Sequence, residues 1–317
     1  MNTDRKAWMV RGIKFLIAVA VAVGIGQFVR RATGDLDQQG FSLRQIDVWW
    51  LGLSGVTYLL GMLPAGLFWH RVLHAVGQCP GLYETVRAYY LGHLGKYVPG
   101  KAMVVVIRAG LIRGGRADST TAAVTVFTET LTQMAVGAAL AAAIIAMRFR
   151  HHWQLMLLAC VLVICAGLPT VPAIFRRLVV WLKVARISPE INEQLNGIRP
   201  GVMLIGWCGN VVGWMILGFS LFAAIRALPG SAAIAPWTIE NHLLLTAAVA
   251  LAVVSGFLSL IPGGMGVREL VLMELLAHEL QLGHWLAVVA TISVRLAWLI
   301  AELVAAGLLW SISPRSP

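Results

Sequence analysis

The chain has 317 residues, 59% of them hydrophobic and 12% charged; a soluble domain carries roughly 25% charged residues, so this composition excludes one. There is room for about eight apolar crossings of ~20 residues and none for a sizeable soluble module beside them, which excludes an appended globular catalytic domain. The formal charge of +11 is spread between apolar segments instead of forming one basic face with interleaved aromatics; it points to a membrane surface and not to nucleic acid.

In chain order, Arg5, Lys6, Arg11 and Lys14 precede an apolar run over 13–29, closed by Arg30 and Arg31 where a signal-peptide cleavage site would need small residues. The run therefore reads as an uncleaved first span. Further apolar segments lie at 48–69, 120–147, 153–175, 201–225, 242–261 and 285–310, helical because a backbone in lipid must satisfy its own hydrogen bonds. The expected fold class is an all-α polytopic membrane protein of about seven to eight transmembrane helices, with additional Pro-Gly-broken half helices. Residues 176–187 mix basic and apolar positions and read either as an amphipathic helix at the interface or as an extension of the 153–175 helix. The tail 311–317 is Ser/Pro-rich. Cys79, Cys160, Cys165 and Cys208 lack CxxC spacing, and the last three sit in apolar runs, so neither a disulfide nor a structural zinc is expected.

Lys and Arg in the short loops set the orientation. The connection 70–119 holds seven basic residues against Glu84 and Asp118, and 176–200 holds five against Glu190 and Glu193. Both are expected to be cytoplasmic, with the N-terminus on the same side and 31–47 and 227–240 outside. Arg148 and Arg150 fall in a loop this scheme places outside and conflict with it. Trp49, Trp50, Trp285 and Trp310 sit near span ends, as interface anchors do.

Two segments resemble neither spans nor loops. Residues 86–98 and 102–112 flank Pro99-Gly100, and each arm is about 16–20 Å long as a helix, too short to cross ~30 Å of hydrocarbon. They suit a re-entrant hairpin with Lys96, Lys101 and Arg108 near its tip. Residues 262–282 begin with Pro262, Gly263, Gly264 and Gly266, and a new helix is expected near Val267, carrying Arg268 and Glu269 in its first turn. Free amides and the positive dipole end there would favour phosphate or carboxylate. A break in each half is the pattern of an inverted-repeat transporter, with halves 45–175 and 201–310 joined by the basic segment 176–200.

Charged residues inside the spans cost ~2.5–3.5 kcal/mol each at mid-bilayer and must find partners. Glu129 lies midway along 120–147, and Arg295 and Glu302 are seven residues apart on one face of 285–310. One reading is a set of ion pairs that fixes packing; the other is an anion site of Arg108, Arg268 and Arg295, since a guanidinium fork suits phosphate. Glu269 is expected to occupy one of these arginines. His278-Glu279 lacks the histidine spacing of a zinc protease helix, His70 and His74 suit an interface, and Gly264-Met265-Gly266 lacks the context of a dinucleotide site.

The run Gly95-Lys96-Tyr97-Val98-Pro99-Gly100-Lys101 with Arg108, then Glu129, then Ile261-Pro262-Gly263-Gly264-Met265-Gly266-Val267-Arg268-Glu269, then Arg295, resembles the lysylphosphatidylglycerol synthase transmembrane-region family, the flippase-like membrane proteins. The resemblance covers about 45 to 310. It implies a domain that, in bifunctional members, translocates an aminoacylated phospholipid made by a fused synthase. The chain runs only seven residues past its last span, so the expectation is a stand-alone member without the synthase.

The expected function is translocation of an anionic phospholipid, polyprenyl-linked or other lipid across the cytoplasmic membrane. Lys96, Tyr97, Pro99, Gly100, Lys101, Arg108, Pro262, Gly263, Gly264, Gly266, Arg268 and Arg295 are the substrate-binding candidates, with Glu129, Glu269 and Glu302 as coupling or ion-pair residues. No P-loop is present, and no cofactor, metal or nucleic acid is expected. The expected partners are the lipid substrate, the bilayer, and a second copy or a lipid-biosynthesis enzyme. Two competing readings are a membrane-embedded transferase on a lipid-linked substrate, disfavoured by the few acidic residues of the outer connections, and a non-transporting scaffold subunit of a lipid-synthesis complex.

Overall fold

A computed structural model describes residues 46–98, 102–112, 118–148, 167–181, 190–230, 236–259 and 264–312, with Ile261 and six positions between 157 and 165. The expected first span at 13–29, and Pro99, Gly100, Lys101, Pro262 and Gly263 at the two breaks, lie outside these residues. Secondary structure among the described residues is helical: α1 (Val48–Ala75), α2 (Leu82–His93) continued by a 3-10 turn (Leu94–Tyr97), α3 (Ala102–Leu111), α4 (Ser119–Arg148), α5 (Pro172–Trp181), α6 (Ile191–Gln194), α7 (Pro200–Arg226), α8 (Ile239–Leu258), α9 (Val267–His278) and α10 (His284–Ser311). Among them α1, α4, α7, α8 and α10 are long and apolar enough to cross a membrane.

Polarity is arranged as lipid requires. Leu53, Val56, Leu60 and Leu67 of α1, Leu204, Ile205 and Val212 of α7, and Ile300, Leu303, Val304 and Leu308 of α10 are exposed, while Ser54, Thr125, Thr128, Glu129, Thr132, Asn210, Ser220, Arg295 and Glu302 are buried. Apolar stripes of this extent on several helices would aggregate in water and are at home in hydrocarbon. Inside, polar side chains hold helices together, as they do in bilayers. Ser220 Oγ of α7 donates to the Ser54 carbonyl at 2.7 Å and accepts from Trp298 Nε1 at 2.9 Å, tying α1, α7 and α10.

Helices α1 and α7 are antiparallel and meet through glycine. A Cβ on Gly61 would sit 3.1 Å from the Gly213 carbonyl oxygen, and one on Gly213 would sit 2.6 Å from that of Gly61. The small residues let the two backbones touch where larger side chains would force them apart.

Interhelical contacts sort the helix ends onto two faces. On one face Asp47 N donates to the Ala227 carbonyl at 2.9 Å, and Arg148 pairs with Glu240 at 3.0 Å. On the other, Asp118 N donates to Gln78 at 2.6 Å, Thr121 to Gln194 at 2.8 Å, Tyr83 to the Ile312 carbonyl at 2.7 Å and Arg87 to the Leu309 carbonyl at 2.8 Å. The loops grouped by basic content thus share a face. Of the two charges at odds with that grouping, Arg148 is matched by the Glu240 carboxylate in the first turn of α8 on its own face, and Arg150 lies outside the described residues.

Several boundaries differ from the sequence reading. Helix α1 runs past residue 69 to Ala75, and His70 and His74 in its last turns hold the turn into α2, through Thr85 Oγ1 at 3.1 Å and the Pro80 carbonyl at 3.2 Å. Helix α2 starts at Leu82, before residue 86, because Glu84 accepts from the Gly81 amide at 2.9 Å and caps it. The chain turns at Val171, and α5 leaves at 72° to the stretch before it. Of the expected 176–187 segment, residues 176–181 lie in α5, and 182–187 lie outside the described residues. Phe175 and Val179 of α5 face the protein while Leu178, Val180 and Trp181 are exposed.

The first broken segment is a hairpin. A Cβ on Gly92 would run into the Arg108 side chain, and one on Gly95 would lie 2.8 Å from Val104 N, so α2 and α3 are antiparallel. Both arms open toward the face holding Gln78 and Asp118. The second break doubles back as well. A Cβ on Gly256 of α8 would run into the Arg268 side chain of α9, and the Gly256 Cα lies 2.8 Å from a Cβ built on Gly264. Since α8 begins beside Arg148 on one face and the 28-residue α10 ends beside Tyr83 on the other, α9 returns toward the face from which α8 came and does not cross. One hairpin enters from each face.

Candidate functional site

The two hairpin ends meet inside the bundle. Tyr97 and Leu94 from the first pack with Met265 from the second and with Leu296 and Leu299 of α10. Beside this junction is a cavity of about 380 Å³. Its walls are largely apolar, including Met62, Val105, Val126, Met134, Trp214, Val253, Phe257 and Trp298, and its polar groups are Tyr58, His93, Lys96, Arg108, Thr130, Gln133 and Arg268. No carboxylate lines it among the described residues. Charge on the wall is therefore positive, in a setting where low dielectric strengthens any attraction to an anion.

The cations differ in how far they are committed. Arg108 Nη1 donates to Glu129 Oε2 at 2.6 Å, with both side chains almost wholly buried. Its guanidinium lies 4.1 Å from the Tyr89 ring centroid and 5.6 Å from that of Trp69. A guanidinium held between rings and a carboxylate is a clamp, here fixing α3 to α4. Arg295 pairs with Glu269 at 2.8 Å, so Glu269 engages α10 as well as the start of its own helix. Lys96 pairs with Glu302 at 2.5 Å. Arg268 has no carboxylate within 4 Å among the described residues, and its Nε is buried without a hydrogen bond.

The expectation of a joint site of Arg108, Arg268 and Arg295 is thereby narrowed. Of the three, Arg108 and Arg268 line the cavity, and Arg108 is neutralised by Glu129. Two of the backbone donors expected to serve an anion are also occupied: Gly264 N donates to the Ile261 carbonyl at 2.9 Å, and Gly266 N to Glu269 Oε2 at 2.6 Å. Gly264 and Gly266 have φ of +66° and +86°, a backbone that L side chains resist, so the glycines serve the turn that points Arg268 back at α8.

Of the motif residues, Lys96 and Gly264 line the cavity, whereas Tyr97 faces away and donates to Glu302 Oε2 at 3.1 Å. Two residues escaped the sequence reading. Tyr58 of α1 donates to Glu302 Oε1, stacks on Trp298 at 4.6 Å between centroids, and lines the cavity. His93, at the end of α2, has its Nε2 3.3 Å from the Tyr58 phenol oxygen Oη and 3.7 Å from Glu302 Oε1. An ionisable side chain in a membrane-embedded segment is a functional candidate by default, and that signal was legible for His93. A tyrosine in an apolar run such as 48–69 gives no comparable signal.

No curated protein and no solved structure matches the chain. A model of the lysylphosphatidylglycerol synthase transmembrane region matches residues 15–308, starting about thirty residues before the resemblance noted from about 45 and taking in most of the expected first span. With nearly the whole sequence matched, and with helices fit to cross a bilayer, the chain is an integral membrane protein that belongs to the lysylphosphatidylglycerol synthase transmembrane-region family, a family tied to membrane lipids.

Proposed function

We propose that the protein translocates an anionic lipid, a phospholipid or a polyprenyl-linked or other lipid, across the cytoplasmic membrane, with the basic loop face cytoplasmic. The observation that carries this reading is the meeting of two hairpins, one from each face, at a cavity bearing Lys96, Arg108 and Arg268 and no lining carboxylate among the described residues. A headgroup bound there would be shielded from hydrocarbon midway, while the exposed apolar surface keeps the tails in lipid.

An inverted repeat of 45–175 and 201–310 supports alternating access to such a site. The reciprocal contact of Gly61 and Gly213 places positions 152 apart on each other, and the same offset turns the Phe68–Gly206 contact into the Ser220–Ser54 contact. In each hairpin an arginine of the second arm lies over a glycine of the first, Arg108 over Gly92 and Arg268 over Gly256. In each half the short helix is bound to the following long one by an ion pair of opposite polarity, Arg108 to Glu129 and Glu269 to Arg295.

The test is reconstitution in liposomes with a fluorophore on the headgroup of an anionic lipid, read by quenching from outside. Exchange between leaflets faster than in empty vesicles is expected for at least one lipid class. Exchange no faster than in empty vesicles, for phospholipids and polyprenyl-linked lipids alike, would remove the proposal.

A further inference from the structure

Among the described residues, the buried carboxylate with the most partners is not in the cavity wall but behind it. Glu302 is 3% exposed. Its carboxylate is met from α1 by the Tyr58 hydroxyl and from the first hairpin by Lys96 Nζ, Tyr97 Oη and His93 Nε2. Two further charges stand near this cluster: Arg268 on α9, across the cavity, and Arg295, two turns away on Glu302's own helix. Lys96 belongs to both places, since it lines the cavity and pairs with Glu302.

This sharing sets Lys96 apart from Arg108. The guanidinium of Arg108 is fixed between rings and Glu129, whereas a lysine is a point charge on a flexible stem. An anion entering the cavity beside Arg268 competes with Glu302 for Lys96. Once Lys96 turns to the anion, Glu302 is a buried carboxylate without its cation, a state that burial strongly disfavours. Taking up a proton removes the charge. A route for that proton is in place: His93 lines the cavity and is within 3.3 Å of the Tyr58 hydroxyl, which in turn donates to Glu302.

We infer that Glu302 is a proton-binding site that couples anion entry to proton uptake, one proton moving from cavity water through His93 and Tyr58 to Glu302 as Lys96 passes from the carboxylate to the anion. The charge of the buried site is then the same before and after binding, because the anion and the proton arrive together. The protein moves anion and proton in one direction, and a proton gradient drives the lipid. This rests on the translocation reading and specifies what powers it.

The experiment uses the full-length protein in detergent and lightly buffered solution, with dihexanoyl phosphatidylglycerol below its micelle concentration as the probe. Binding is followed calorimetrically and proton uptake by an indicator dye. About one proton taken up per probe bound is expected, and none by Glu302→Gln whatever its affinity. Lys96→Met, in which the carboxyl has no cation to lose and is protonated from the start, is expected to take up none as well, which guards against a Glu302→Gln that fails to fold. Binding to the wild type without proton uptake, or uptake that persists in either folded variant, overturns the coupling and leaves translocation standing. Absence of binding by this probe and by a polyprenyl phosphate sinks both.

Discussion

Arg108 and Arg268 both line the cavity and both are arginines of a hairpin's second arm, yet Arg108 is paired with Glu129 and Arg268 has a buried Nε without a hydrogen bond. Removing Arg108 leaves Glu129 buried and unpaired, and breaking such a pair costs about 3–5 kcal/mol. Arg108→Gln is therefore expected to lower unfolding stability in detergent by that much, and the double variant Arg108→Gln/Glu129→Gln by clearly less than the sum of the two single changes, as a coupling cycle measures. Arg268 has no carboxylate partner within 4 Å among the described residues, so Arg268→Gln removes an uncompensated cation. The expected outcome is unfolding at the wild-type midpoint or above it, with leaflet exchange of labelled anionic lipid reduced at least tenfold, about 1.4 kcal/mol or more of lost interaction. Equal losses of stability from the two substitutions would contradict the division of labour drawn here.

At the scale of the element, the hairpins depend on glycine and the long helices on their caps. A methyl on Gly95 would come within 2.8 Å of the Val104 amide nitrogen, and backbone cannot step aside as a flexible side chain can. Gly95→Ala is expected to destabilise by about 1–3 kcal/mol, the usual penalty for overpacking, and to loosen the hairpin, read as faster amide exchange over α2 and α3. Helix α4 is capped by Asp118, whose carboxylate accepts from the Thr121 amide at 2.8 Å and from the Thr121 hydroxyl at 3.1 Å. The Thr121 amide, the largest influence, holds the Asp118 carboxyl below its ordinary pKa; burial, the next largest, opposes it, and the Thr121 hydroxyl and the Thr120 and Ser119 amides add to the lowering. Because the folded value is the depressed one, the cap's contribution is complete above the unfolded carboxyl's pKa of about 4 and is lost as pH falls through the folded value. Asp118→Ala should cost about 1 kcal/mol near neutrality, and the gap between variant and wild type should close in acid unfolding experiments.

For the whole molecule, the decisive arrangement is one hairpin from each face with a charged cavity between them. Cys79 is exposed on the face that carries the basic loops. With Cys160, Cys165 and Cys208 replaced by serine, a membrane-impermeant maleimide is expected to label Cys79 from the cytoplasmic side and not from outside. Labelling from outside would invert the orientation, and with it the direction in which a proton gradient acts on the site.

What the residue order determined by itself was everything governed by local rules. Long apolar runs gave helices fit to span, and the Pro-Gly interruptions marked where helices stop, since proline lacks a donor and glycine accepts backbone other residues refuse. The start of α9 at Val267 and the ion-pairing need of Glu129, Arg295 and Glu302 followed from the same local reading. Pairing itself is a matter of which helix lies beside which, and only the tertiary structure decided it. Spacing of seven places Arg295 and Glu302 on one face of α10, and Glu269 was expected to take an arginine, but nothing along the chain tells that the arginine is Arg295 or that Lys96, more than two hundred positions away, answers Glu302. The same holds for Tyr58, an aromatic in an apolar run that becomes a hydrogen-bond donor to a buried carboxylate once α1 packs on α10. Local sequence fixes where the backbone and charges need partners; long-range packing, driven by the cost of leaving those charges alone in a low dielectric, chooses the partners.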